Sequence, residues 1–181
     1  MKARAGYYLK IPFVWQPGCP VPGQATHLCF RPAPNDWLED ALSEVLATSL
    51  DPATQLAVAE NGAPRAAAML LGLSKPHFEQ DPDWWQLAQT KAGEQVGFVL
   101  CSTFARSGSQ PLEGTIFYMG VLLAYRGKGY GRQLLNQGTR TLVNIGACRI
   151  LCDTAACNTP MLAAFRRAGY LERQVWERPL R

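Results

Sequence analysis

The sequence lacks most of the features that assign a chain to a class at first sight. It has no Lys/Arg-rich run, no apolar stretch of membrane-spanning length, no Cys-x-x-Cys pair and only two histidines. With a net charge of +4 spread along the chain, the first absence excludes a concentrated nucleic-acid footprint, though it leaves room for an anionic small ligand. The second gives no reason to expect a membrane span. The third and fourth leave no ligand set for zinc, so no metal is expected. The six cysteines (19, 29, 101, 148, 152 and 157) show no disulfide spacing. On a strand, Cys148 and Cys152 would stand roughly 13 Å apart, too far to bridge, and buried reduced thiols are expected. The opening "MKARAGYYLKIPFVWQPGCP" is not expected to be a leader, because Lys10 and Pro12 break its apolar run and no small-residue cleavage site follows. A soluble, cytoplasmic protein is the expectation.

What is present is ordinary globular composition: 48% hydrophobic and 18% charged residues in a chain of 181, enough for one core and scarcely for two. Four of the thirteen prolines fall in residues 1–24, which predicts an extended, irregular N-terminal segment before a single domain over 25–181. "ATHLCFRPA" reads as a strand. "PNDWLEDALSEVLATSLD" then carries an apolar stripe at helical spacing, starting at Asn35 or Asp36. A second helical region starts at Asp51-Pro52, is interrupted by "NGAP", and continues to about His77. "DWWQLAQT" and "EQVGFVLCSTF" read as a hairpin, and "GTIFYMGVLLA" as a buried strand. A helix bearing Leu134, Leu135, Leu142, Val143 and Ile145 follows and ends at Gly146. "CRILCDT" is a further strand, "TPMLAAFRRAG" a helix capped by Thr159 and stopped at Gly169, and "YLERQVWERPL" a final strand. The order β, α, α, β, β, β, α, β, α, β implies a mixed α/β sheet with helices on both faces and parallel neighbours in both C-terminal strand–helix–strand units.

Between the strand "GTIFYMGV" and its helix lies "YRGKGYGR" (residues 125–132). A strand-to-helix turn presents unpaired N–H groups and the positive end of the helix dipole. Gly127, Gly129 and Gly131 let an anion approach the backbone, and Arg126, Lys128 and Arg132 add charge. A nucleotide triphosphatase loop would need Ser or Thr after Lys128, where Gly129 stands, and a dinucleotide fold would need GxGxxG in the first unit. A glycine-rich helix entry that holds nothing is the remaining alternative.

A second segment separates these readings. Arg126-x-x-Gly129-x-Gly131 resembles the (Arg/Gln)-x-x-Gly-x-(Gly/Ala) signature of the GCN5-related N-acetyltransferase (GNAT) superfamily. About 25 residues on, "CDTAACNTPMLAAFRRAGY" resembles that family's next motif through Asn158, Phe165, Gly169 and Tyr170. The resemblance implies a single-domain, mostly antiparallel mixed sheet whose central parallel pair splays apart. It implies an acyl-CoA-dependent N-acyltransferase using acetyl-CoA on a small amine or a protein amine. A non-catalytic CoA-binding or regulatory module on the same fold is the alternative. The backbone of Met119, Gly120 and Val121 would bind the pantetheine arm and polarise the thioester. Residues 126–132, with Tyr130 among them, would hold the pyrophosphate, and Asn158 and Phe165 would border the pantetheine.

Direct attack by an amine needs a base, since an alkyl amine near pKa 10 is mostly protonated at neutral pH. Asp153, at the end of an apolar strand, stands where some members carry a catalytic glutamate; it could equally hold the loop after it. Tyr118 is the second candidate base, or else core. Phe165 departs from the family pattern, in which many members have a tyrosine that protonates the leaving thiolate; Tyr170, shortly after it, and Tyr130, in the glycine loop, are the candidates to replace it. The resemblance implies an acceptor region at residues 36–80 and 166–178. His77 and Trp176 within it, and Trp84 and Trp85 just past its first part, fit a core or a homodimer contact better than a pocket. The arginines at 166, 167, 173, 178 and 181 fit a solvated face.

Overall fold

This computed structural model describes residues 3–23, 27–73, 78–105 and 109–180. The chain begins with strands β1 (Tyr7–Trp15) and β2 (Leu28–Pro32), followed by helices α1 (Asn35–Ala47), α2 (Pro52–Asn61) and α3 (Ala63–Leu73). Strands β3 (Phe78–Glu79), β4 (Trp85–Thr90), β5 (Gln95–Phe104) and β6 (Glu113–Val121) lead into helix α4 (Tyr130–Asn144). Strand β7 (Arg149–Ala155), helix α5 (Thr159–Arg167) and strands β8 (Leu171–Glu172) and β9 (Trp176–Pro179) complete it. His77 and Arg181 lie outside the described residues.

The strands form one sheet in the order β2-β4-β5-β6-β7-β1-β8, with β3 beside β5 and β9 beside β1. Every described pairing is antiparallel except β6 with β7. The two-residue period of a strand sends alternate side chains of β5 to opposite faces. Val99 and Cys101 join Leu134, Leu135 and Leu142 of α4 and Phe165 of α5 in one buried cluster. Phe98 and Leu100 meet Leu38, Leu42 and Val45 of α1 and Ala66 and Ala67 of α3 in the other. This is the mixed, mostly antiparallel α/β sheet with helices on both faces that the sequence implies. Among the described residues no helix is long and apolar enough to cross a membrane.

Several local readings change. Residues 7–15 are not irregular: they form β1, inserted between β7 and the pair β8 and β9. Pro12 is tolerated inside this interior strand because its missing N–H faces a gap. β8 pairs with Phe13 and Val14, and β9 with Tyr7 to Lys10. The Pro12 carbonyl, on that same edge, accepts from Arg173 N in the gap at 2.9 Å. The C-terminal "YLERQVWERPL" is correspondingly two short strands rather than one. Since β1 separates β7 from β8, the second strand–helix–strand unit does not produce parallel neighbours. Asn158, not Thr159, caps α5, its side chain accepting from Met161 N. The break at "NGAP" falls at Gly62, whose φ of 76° ends α2. Cys29 and Cys157 are exposed rather than buried, and all six thiols are free.

Candidate active site

The glycine loop sits where its sequence indicated. Gly127 and Gly129 have φ of 77° and 80°, and a carbon added to either would meet nothing within 4 Å. Gly129 is the N-cap of α4 and offers no side chain to the first turn, which contains no acidic residue. The first-turn N–H groups therefore remain available to an anion. Lys128 and Arg132 are exposed, with the Lys128 ammonium 5.1 Å from the centroid of the Tyr125 ring. Arg126 does a different job. Its guanidinium donates to Val121 O at 3.1 Å and Thr48 Oγ1 at 2.6 Å, tying the loop to the end of α1. Leu123 N donates to Glu44 Oε1 at 2.7 Å, so α1 fixes the loop at two points.

Next to the loop the parallel pair opens. β6 and β7 pair only through Glu113↔Arg149 and Gly114↔Ile150, and beyond Gly114 the edge of β6 turned from β5 has no strand partner among the described residues. A bulge contributes to the divergence. Leu100 faces Tyr118 and Cys101 faces Ile116, which leaves Phe117 as an extra residue in β6. Past the bulge, Met119, Gly120 and Val121 pair with Val99, Phe98 and Gly97 on the other edge.

The two catalytic candidates, Asp153 and Tyr118, are linked by Lys10 and Asp51, which the sequence did not mark as site residues. The Lys10 ammonium, from β1, lies 2.9 Å from Asp153 Oδ1 and 3.1 Å from Asp51 Oδ2. Burial would lower its pKa, but Asp153 and Asp51 together outweigh burial and hold it above its ordinary value. Asp51 also caps α2 through Ala53 N and Thr54 N. Burial likewise raises the Tyr118 phenol, with Ser49, Asp51, Thr54 and Lys10 around it. Asp153, 30% exposed, and Tyr118 thus stand on β7 and β6 at the two sides of the opening. The one signal for Lys10 was a lone cation in the apolar run "YYLKIPFVW".

A cavity of about 820 Å³ opens into this split, lined by Phe78, Phe104, Phe117, Leu151 and Asp153 among others. Its wall also includes Phe13, Ile116 and Cys152, whose packing lies with the opposite face of the sheet.

The model of the acetyltransferase (GNAT) family matches residues 42–170. The chain belongs to this family. A mycothiol acetyltransferase of Pseudarthrobacter chlorophenolicus is 32% identical over 90 residues, spanning 50% of this chain and 28% of the relative. One of Corynebacterium efficiens is 40% identical over 55 residues, 30% of this chain and 19% of the relative. The chain therefore spans under a third of the length of these curated relatives. A GCN5-related N-acetyltransferase from Sphaerobacter thermophilus superposes with a TM-score of 0.63 at 18% identity, covering 98% of this chain and 54% of that one. The NatC complex bound to Gag peptide and CoA superposes with a TM-score of 0.58 at 16% identity, covering 82% and 87%. These two likenesses speak for the fold.

Against the GNAT pattern, several side chains are already engaged. The Phe165 ring is 3% exposed and stacks on Phe13 with centroids 4.6 Å apart. The Tyr170 hydroxyl is buried against Thr139 Oγ1 at 2.6 Å, and burial holds its pKa well above the usual range. Met119, Val121 and Tyr130 pack at the edge of the same core. Asn158 Oδ1 is occupied by the α5 cap. Trp84 and Trp85 also pack against the cores, whereas Trp176 is 43% exposed and lines the cavity. Arg166, Arg167, Arg173 and Arg178 are exposed.

Proposed function

We propose that the chain is an N-acyltransferase that moves an acetyl group from acetyl-CoA to a primary amine. The observation that carries this is the adjacency of an uncapped, glycine-lined helix start to the opening between β6 and β7. Coenzyme A fits the residues present. The space above Gly127 and Gly129 and the N–H groups of residues 130–132 suit a pyrophosphate, with Lys128 and Arg132 as counter-charges. The one-sided edge of β6 at Met119, Gly120 and Val121 suits an extended amide chain. When bound, acetyl-CoA supplies the thioester that the amine attacks.

The chain's own residues then have distinct tasks. Arg126 holds the loop in register with α1 rather than meeting the phosphates. Main-chain N–H groups on the free edge of β6 stabilise charge on the thioester oxygen. Asp153 accepts a proton from the incoming ammonium, which at neutral pH must lose one before it attacks. Tyr118, kept neutral by burial beside Ser49 and Thr54, is no base at that pH. Phe165 has no proton for the leaving thiolate and Tyr170 is engaged with Thr139. A thiol of pKa near 8.5 leaves as thiolate or takes its proton from water.

Calorimetry with CoA and acetyl-CoA, followed by thiol release across an amine panel, tests this. Gly129→Val should weaken CoA binding at least tenfold while far-UV dichroism stays unchanged, because a β-branched residue resists φ of 80° and fills the cradle. Normal CoA binding by that variant would sink the account of the loop. Tight binding without thiol release from any amine would leave a CoA-binding module.

A further inference from the structure

We propose that the cavity beside Asp153 selects primary amines carrying an apolar, ring-sized body and discriminates against polyhydroxylated amines such as amino sugars. The inference rests on the acyl-transfer reading and adds the chemical class of the acceptor. The cavity's volume of about 820 Å³ is that of a site for a ligand of many heavy atoms, far more than a small alkyl amine fills. Phe78 touches Phe104 and Phe117, with ring centroids 5.3 and 5.5 Å apart, so one wall is continuous aromatic surface. Val14 and Leu151 extend it from β1 and β7.

Among the described residues the polar lining is sparse, Thr115, Gln174 and Arg178 beside Asp153, which is its only carboxylate. A ring bearing several hydroxyls would leave most of them without partners on this wall, a cost for each one buried. An apolar ring would instead exchange water for the phenylalanines.

Register and charge fix the orientation. Three residues past the last paired position, Gly114↔Ile150, Phe117 and Asp153 stand across the opening from each other. Lys10 faces both Asp51 and Asp153, so one positive charge meets two negative ones and the cluster keeps a net negative charge. Arg178, the cation of the cavity wall, lies four residues along β1 and one strand beyond it. That puts its backbone about 16 Å from that of Asp153, and its guanidinium lies over the Trp176 ring at 4.5 Å. A cationic amine is therefore drawn to the Asp153 end, leaving its body on the aromatic wall.

The test is acetyl-CoA-dependent thiol release by the full chain with 2-phenylethylamine, hexylamine, ethanolamine and glucosamine. The expected kcat/KM for the first two exceeds that for the last two by at least tenfold. Phe104→Ser should cut that preference at least fivefold while CoA affinity, measured by calorimetry, stays unchanged. Phe117→Leu, which keeps the apolar wall, should retain most of it. Tryptophan fluorescence tests the cavity without turnover. 2-Phenylethylamine should bind saturably with a Kd at least tenfold below that of glucosamine, and Trp176→Phe should remove most of the signal. Equal or better use or binding of glucosamine, or a preference that Phe104→Ser leaves intact, overturns the proposal. CoA calorimetry reports separately on the acyl-transfer reading, so the two can fail independently.

Discussion

One ammonium, that of Lys10, joins three segments that are remote in sequence: β1, the turn before α2 and β7. Removing it with Lys10→Met leaves Asp51 and Asp153 as close like charges. The proposed base then lacks the cation that positions it, so kcat/KM should fall by roughly tenfold, while Lys10→Arg should retain most of the activity. The stability effect depends on pH. The folded pKa of Lys10 is above the ordinary 10.5, so its contribution is complete below pH 10.5 and is lost as pH rises through the folded value. Urea unfolding at pH 7 should show Lys10→Met costing about 1–2 kcal/mol, below the range for a fully buried pair because the groups are partly exposed. At pH 12 the difference from the parent should shrink. The sequence showed Lys10 only as an interruption in an apolar run; its role depends on two carboxylates that no local pattern links to it.

Helix α4 carries the loop, and its seat on the sheet depends on one glycine. A carbon added at Gly138 would come within 2.8 Å of Ile116 Cδ1 and of Val99 Cγ2, both on the central strands. Gly138→Ala should therefore destabilise by about 1–3 kcal/mol through overpacking, outweighing the gain of up to about 1 kcal/mol in helix propensity. It should also weaken CoA binding by shifting the helix start. Gly131→Ala is the contrast, since its added carbon would meet only Val121 Cγ2 at 3.9 Å. There the propensity gain should appear as unchanged or raised stability in the same denaturation measurement. This helix was legible in the sequence, with its leucine stripe, its glycine loop before it and Gly146 after it, because periodicity and caps are local. β1 was not legible. Prolines argue against an interior strand, and only the gap between β8 and β9 makes Pro12 acceptable there.

Across the described residues, four wholly or partly buried acids shift in one direction. Burial raises the Cys101 thiol and pushes Cys152 from 9.0 up to about 12, and it raises the phenols of Tyr118 and Tyr170. In the unfolded chain these groups ionise from about pH 9 upward, whereas in the folded chain they stay protonated. Stability is therefore level through neutral pH and falls as pH rises from 9 toward the folded values. The Tm should drop by ~10 °C or more between pH 8 and pH 11, and Cys152→Ala should make the decline shallower. A Tm that stayed level over that range would contradict the upward shift of these groups. By itself the sequence determined the order of the longer elements from β2 to α5, though not β3 or the division of the last strand into β8 and β9, together with the glycine loop and the two motifs of the family. Each depends on residues within a turn or two of one another. Tertiary structure alone decided that β6 and β7 separate after two pairs, that β1 enters the sheet, and that Lys10 stands between Asp51 and Asp153. Those outcomes are set by which distant segments pack together, and the charge and shape of the site follow from that packing.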